Sequence, residues 1–158
     1  MTSLRSSGIS NHHRPIRANI HHLEALAFMF DSYRQFYGQS SDLSAATVFL
    51  QERLEKKQSV IFIAYHAEIA AGFVQLYPSF SSVSMKKLWI LNDLFVRQEF
   101  RRQGVADNLL RETAKFAKED GAKGLVLSTQ KTNYFAQELY IKNGYKVDIE
   151  FQHYTLYF

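Results

Sequence analysis

The chain has 158 residues, 46% hydrophobic and 22% charged, which is the profile of one folded domain with a sizeable core. It has no cysteine, which excludes a disulfide scaffold, a thiolate nucleophile and a cysteine zinc site. The net charge of +4 collects at the start: Arg5, Arg14 and Arg17 precede the first acidic residue, Glu24, and removing those three from the 19 basic residues leaves 16 against 15 acidic.

No apolar run reaches membrane-span length, and MTSLRSSGISNHHRPIR lacks the apolar centre of a secretory signal. A cytoplasmic location with no membrane partner is therefore expected. Residues 1–13 read as a flexible tail and residues 14–158 as a single domain. Beyond the 97–102 cluster there is no basic face, so nucleic acid is not the expected partner.

In chain order, Arg14 to Ala18 reads as a short strand. Leu23 to Tyr37 carries apolar residues at 23, 26, 27, 30 and 33, a helical period, and Gly38-Gln39-Ser40-Ser41 breaks it. Ser44 can cap a second helix through Lys57, with Val48, Leu50 and Leu54 inside. Ser59 to Tyr65 is a strand rich in β-branched residues, and a tight connection leads to its partner, Ile69 to Tyr77. Pro78 to Lys86 reads as a serine-rich loop and Leu88 to Val96 as a long apolar strand.

Gly104 to Asp120 is an amphipathic helix with Val105, Leu109, Ala114, Phe116 and Ala117 turned inward, and Gly121 ends it. Leu125 to Ser128 is a short buried strand. Asn133 caps a helix through Lys142, which Gly144 ends. Tyr145 to Ile149 and His153 to Phe158 read as a closing hairpin. The order is β-α-α-β-β-β-α-β-α-β-β.

The segment Leu88 to Leu110 joins a strand, a basic turn containing glycine, and a helix. That combination makes a phosphate site: the first N–H groups of a helix have no partner inside it, and the helix dipole adds positive charge there. Gly104 lets a phosphate approach without meeting a Cβ. The spacing Arg-x-x-Gly-x-Ala, Arg101 to Ala106, is neither a P-loop nor a dinucleotide fingerprint. It resembles the acyl-CoA pyrophosphate loop of the GNAT family of N-acetyltransferases, written [Q/R]-x-x-G-x-[G/A].

Asn133 to Tyr145 likewise resembles that family's N-x-x-A-x-x-L-Y-x-x-x-G-[F/Y] segment, and the element order resembles its fold from about residue 14 onward. The resemblance implies an α/β (α+β) fold: a mixed, mostly antiparallel central sheet, splayed at the acyl-CoA site and flanked by helices. It implies acetyl-CoA as cosubstrate, bound through Arg101, Arg102, Gln103, Gly104, Val105, Ala106 and Asp107, with Arg97 upstream. The main chain of Leu94, Phe95 and Val96 would pair with pantetheine. Asn133 would contact the CoA arm, and Tyr140 would protonate the departing thiolate, as suits a phenol whose ordinary pKa is about 10.

Asn92 to Val96 resembles the spermidine/spermine acetyltransferase branch, where a glutamate commonly stands in the place of Asn92. Asparagine cannot act as a base, and Asp93 faces the other way in a regular strand unless a bulge turns it. The base is thus left open among a water chain, Asp93 and a more distant residue, with Asn92 able to orient substrate.

The resemblance makes Asp31 to Leu43 the acceptor wall, with Asp31 and Tyr37 as candidate substrate residues beside Tyr33, Arg34 and Asp42. His12, His13, His21 and His22 lack carboxylates at matching spacing, so no metal is expected. No serine sits in a G-x-S-x-G elbow.

The reading is an acetyl-CoA-dependent N-acetyltransferase acting on a primary amine of a small molecule or peptide. The alternative is a catalytically weak acyl-CoA-binding or sensing module, motivated by the missing acid at Asn92. The aromatic C-terminal strand predicts a homodimer, because an apolar edge needs cover.

Overall fold

A computed structural model describes residues 14–158. The expected tail, residues 1–13, lies outside them, as do His12 and His13. The described chain forms two compact units, residues 14–128 and 129–158.

The first unit holds a five-stranded sheet in the order β1 (Ile16–Arg17), β2 (Val60–His66), β3 (Ile69–Ser81), β4 (Lys86–Val96) and β5 (Gly124–Val126). Neighbours are antiparallel except β4 and β5, which are parallel. Three helices belong to this unit: α1 (Leu23–Phe36), α2 (Leu43–Glu55) and α3 (Val105–Glu119).

Helix α1 buries Leu26, Ala27, Met29 and Phe30 against Ile61, Ile63 and Phe73 of the sheet and Leu50 of α2. Helix α3 packs on the other face. Phe116 meets Phe62 at 5.6 Å and Trp89 at 5.2 Å between ring centroids. Asp120, just past α3, binds Trp89 Nε1 and Lys87 Nζ, each at 2.9 Å, and so pins the helix end to the start of β4.

The buried stripe of α3 runs Val105, Leu109, Thr113, Ala117 at four-residue spacing. Thr113 replaces the expected Ala114, which is exposed. Its hydroxyl donates to the Leu109 carbonyl at 2.7 Å, which lets a threonine enter the core.

The second helix starts one residue before the expected cap. Asp42 Oδ1, not Ser44, accepts from the Ala45 N–H at 2.9 Å. Ala46 and Leu50 are its buried residues, whereas Val48 is exposed.

Strand β3 runs through Pro78 to Ser81, where a loop was expected. The β2 ladder ends at Val60 opposite Leu76, so beyond that point β3 has an open edge. A proline needs no partner there, and Pro78 still pairs Trp89 on the other side.

Gly72 lies opposite Val96, and a Cβ on it would meet the Phe95 carbonyl oxygen at 2.6 Å. The end of β4 therefore depends on the missing side chain.

The second unit contains α4 (Tyr134–Lys142) and an irregular C-terminal segment. The expected hairpin of Tyr145–Ile149 and His153–Phe158 is not formed, and Val147, Ile149, Phe151, Leu156 and Phe158 are exposed. The alternating pattern is present, but two strands alone are marginal and this unit supplies no third strand.

Gly72→Ala should destabilise the protein by about 1–3 kcal/mol in urea unfolding, the usual cost of overpacking. Gly124→Ala, where a Cβ meets nothing within 4 Å, should leave the midpoint close to that of the parent protein.

Candidate active site

Strand β4 carries one residue more than β3 where they pair. Gln75 lies opposite Asp93 and Leu76 opposite Leu91, which leaves Asn92 as a bulge. Cross-strand partners share a face. Leu91 therefore lies on the α3 face with Leu76, while Asp93 lies with Gln75, Phe73 and Phe95 under α1. The bulge turns Asp93 to the face that an unbroken alternation running on from Trp89 and Leu91 denies it.

Asp93 is only 3% exposed. Gln75 Nε2 donates to its Oδ2 at 2.7 Å and Asn92 Nδ2 to its Oδ1 at 3.0 Å. The Tyr33 hydroxyl donates to the Asn92 carbonyl at 3.5 Å and lies within electrostatic reach of this carboxylate. Burial pushes the Asp93 carboxyl up, and Gln75, Tyr33 and Asn92 only partly offset it. Tyr77 is pushed up to about 12, by burial first and then by the charge of Asp93.

Gln75, Tyr77 and the contact from Tyr33 were not singled out as site chemistry from the sequence. The available signal was one amide, Gln75, inside the apolar run Ile69 to Leu76.

The parallel ladder between β4 and β5 spans only Leu88–Ile90 against Gly124–Val126. Beyond Ile90, β4 continues to Val96 with no strand on that edge among the described residues. The Arg97 N–H bonds the Ala71 carbonyl on β3 at 2.9 Å. Alternation then directs the main-chain groups of Phe95 to β3 and those of Leu94 and Val96 to the open edge. The three residues expected to offer their main chain to pantetheine thus divide, with the groups of Leu94 and Val96 on the open edge and those of Phe95 toward β3. The Val96 carbonyl accepts from Arg101 Nε at 3.0 Å, which ties the basic turn to the strand end.

That turn runs from a short 3-10 segment, Gln98–Phe100, into α3. Gly104 has φ +80°, and a Cβ there would meet nothing within 4 Å, so the space over the helix start is open. Arg102 also adopts positive φ, 60°, a conformation that costs a non-glycine residue about 1 kcal/mol or more. The Asn108 N–H makes the first helical bond, to the Gly104 carbonyl at 3.0 Å. The N–H groups of Val105 and Ala106 precede that bond and stand at the positive end of the helix.

Arg101, Arg102, Gln103 and Gly104 are exposed, whereas Val105 is buried and anchors the turn. Gln103 Nε2 is held by the Glu99 carbonyl at 3.0 Å. Asp107 places a carboxylate in the first turn, so the anion-binding capacity lies in the main chain and the two arginines. Arg97, expected to assist, instead pairs with Glu99 at 2.6 Å and the Ala70 carbonyl at 3.3 Å. The open space, N–H groups and exposed guanidinium groups fit a pyrophosphate.

The hinge between α1 and α2 places Tyr37 at the end of α1, 40% exposed. Asp31, expected to face substrate, is buried inside the hinge. Its carboxylate accepts from Ser41 Oγ at 2.6 Å, the Asp42 N–H at 2.8 Å, Gln35 Nε2 at 3.1 Å and Arg34 at 3.3 Å. The Ser41 and Asp42 bonds above all hold its pKa below the ordinary carboxylate value. Asp31 is a structural clamp with no acceptor capacity to spare.

His22 is likewise occupied locally, its Nδ1 accepting from the Asn19 N–H at 3.0 Å.

In the second unit, Asn133 Oδ1 accepts from the Ala136 N–H at 3.2 Å and starts α4. Tyr140 is half-buried, with its ring 5.6 Å from that of Tyr145. The Tyr145 N–H bonds the Tyr140 carbonyl at 3.0 Å, a link that closes the helix around Gly144.

A family model described as the acetyltransferase (GNAT) family matches residues 26–145. An uncharacterized N-acetyltransferase of Bacillus subtilis (strain 168) is 49% identical over 132 residues, covering 84% of this chain and 89% of its own. A probable acetyltransferase of Haemophilus influenzae is 30% identical over 127 residues, 80% of this chain and 85% of its own. Among solved structures, a probable acetyltransferase matches with a TM-score of 0.88 and 45% identity over 92% of this chain and 97% of that one. An aminoglycoside N-acetyltransferase in complex with CoA has a TM-score of 0.77 at 20% identity, over 98% and 99% of the chains, a likeness of fold alone.

Asp31→Asn should cost about 1.5–3 kcal/mol in urea unfolding at pH 7, the scale of charged hydrogen bonds. Because folding lowers the Asp31 pKa, its contribution is fully present above the unfolded value of about 4 and is lost as pH falls toward the lower folded value. The variant should therefore show a shallower loss of stability below about pH 4 than the parent chain.

Proposed function

The chain belongs to the GNAT family of acetyltransferases, and from that premise we propose that it transfers the acetyl group of acetyl-CoA to a primary amine by direct attack. The observation that carries the base assignment is the Asn92 bulge, which sets the Asp93 carboxylate against Tyr33. The likeness of Asn92–Val96 to the spermidine/spermine branch contributes the place of the base and not the acceptor.

Bound acetyl-CoA supplies the activated thioester. The main-chain N–H groups of Arg102 to Ala106, with Arg101 and Arg102, hold the pyrophosphate, and Leu94 and Val96 pair with the pantetheine amides. Asn133 steadies the same arm from the start of α4. A main-chain N–H near Leu94 polarises the acetyl carbonyl. Asp93 is too buried to touch the substrate, so the Tyr33 hydroxyl takes the ammonium proton and passes its own to the carboxylate. The freed amine forms the new N–C bond, the C–S bond breaks, and Tyr140 gives its proton to the departing sulfur. The second proton, shed by the new amide nitrogen to water, restores the Tyr140 hydroxyl while Asp93 returns its own to solvent. Asn92, exposed at the bulge, orients the amine. Holding both reactants in one crevice supplies much of the rate.

The alternative of a sensing module rested on the lack of an acid at position 92, and Asp93 at the neighbouring position on the α1 face answers that lack. Residues 14–158 act as one catalytic domain in this reading, and a chain without cysteine suits a cytoplasmic setting. The exposed apolar residues of 147–158 support a homodimer in which this segment joins the contact.

Asp93→Asn is isosteric and should lower kcat/KM by roughly 10²–10⁴-fold, the scale of a positioned base. In the parent enzyme kcat/KM should rise as pH passes up through a carboxyl pKa above the ordinary range, because only ionised Asp93 accepts the proton. That limb should vanish in the variant. If it persists unchanged, the base lies elsewhere.

Tyr140→Phe should lower kcat roughly a hundredfold or more while the KM for acetyl-CoA stays level, as the lost bond matters in the transition state. Parent-like turnover in steady-state assays would make Tyr140 a packing residue.

A further inference from the structure

A line of aromatic rings leads from the α1 face of β4 to the surface. Phe95 lies 6.4 Å from Tyr33, Tyr33 lies 5.0 Å from Tyr37, and Tyr37 lies 5.2 Å from Phe36, centroid to centroid. Exposure grows outward along it: Phe95 and Tyr33 are half-buried, Tyr37 is 40% exposed and Phe36 59%. Leu43, at the start of α2, is 48% exposed beyond the hinge. At its inner end the Tyr33 hydroxyl donates to the Asn92 carbonyl beside Asp93.

Most of the charge of the hinge is committed. All four bonds of the Asp31 carboxylate go to the hinge itself, and Asp42 caps α2. The Arg34 guanidinium also bonds the Ser40 carbonyl at 3.4 Å, so the residue that neutralises Asp31 brings a positive charge to the same turn. A substrate carrying a second ammonium group would leave water for a place with aromatic faces, a guanidinium and one carboxylate outside the clamp, that of Asp42, whose Oδ1 is taken by the α2 cap. An apolar substituent would instead cover rings that are otherwise wet. Aromatic faces add offset or edge contacts to an aryl group.

We propose that the acceptor is a primary amine borne on an apolar or aromatic body, with a single cationic centre, and that Tyr37 and Phe36 select it. This rests on the acetyl-transfer reading above and names the substrate class of the same site. The amine end reaches Tyr33 while the body lies along Tyr37 and Phe36. Polyamines are the poorer acceptors because their remote charges meet the Arg34 guanidinium in this turn.

The test compares 2-phenylethylamine and tryptamine with spermidine and lysine as acceptors for the whole protein with acetyl-CoA. The arylalkylamines should show kcat/KM at least tenfold above spermidine. Phe36→Ser should raise the KM for 2-phenylethylamine about tenfold, as expected for losing burial of part of a ring. It should leave the KM for acetyl-CoA and the turnover at saturation unchanged. Saturation-transfer NMR on the protein without acetyl-CoA should show tryptamine ring protons in contact, weakened in the variant.

Preference for spermidine would overturn this inference and leave the transferase reading standing. Transfer to none of the amines, with acetyl-CoA bound, would overturn both. A change in sedimentation of Phe36→Ser with an unmoved amine KM would make the patch a contact between copies and overturn the inference.

Discussion

One additional residue in β4, Asn92, governs which groups face α1. Without it, the alternation of Trp89 and Leu91 would continue and send Asp93 under α3, among Leu76 and its neighbours. The insertion reverses the alternation at the point where the strand leaves its parallel partner. The buried carboxylate, the hydroxyl of Tyr33 and the ring of Phe95 then share one side of the sheet. The unpaired residue of such a bulge must find partners outside the ladder, and Asn92 is exposed with its carbonyl accepting from the Tyr33 hydroxyl.

A carboxylate placed so deep has an energetic consequence for its surroundings. Gln75 turns its amide nitrogen to Asp93, and the Gln75 Oε1 is left buried with no partner among the described residues. An unmade bond of that kind costs roughly 1–3 kcal/mol. An apolar residue at position 75 would avoid it and would leave Asp93 less well held. The fold thus accepts a local cost to keep an ionisable group oriented inside its core, as active sites commonly do.

Much of this was legible beforehand. Helix periods placed α1 and α3, and glycine marked where α3 and α4 stop. The Arg-x-x-Gly-x-Ala spacing located the turn that carries the open helix end, because that chemistry is local. What depends on pairing was not legible. Register decides that Asp93 faces α1 and that Phe95 spends its main chain on β3, and no single strand encodes its own register. Asp31 looked like a surface acid because its four donors come from residues 34 to 42, folded back by the hinge. Pro78 suggested a loop because its open edge exists only where β2 has already ended. The C-terminal alternation promised two strands, yet a pattern of apolar residues forms a strand only where something buries one side of it.

The brevity of β5 has a thermal consequence. A strand of three residues on a sheet edge, joined to its neighbour over three positions, separates at far lower cost than the long central ladders. Spontaneous opening there lengthens the gap beside β4 without disturbing the long antiparallel ladder of β3 and β4. The crevice can therefore breathe in width through brief local melting of one short element, while the face that holds Asp93 stays rigid.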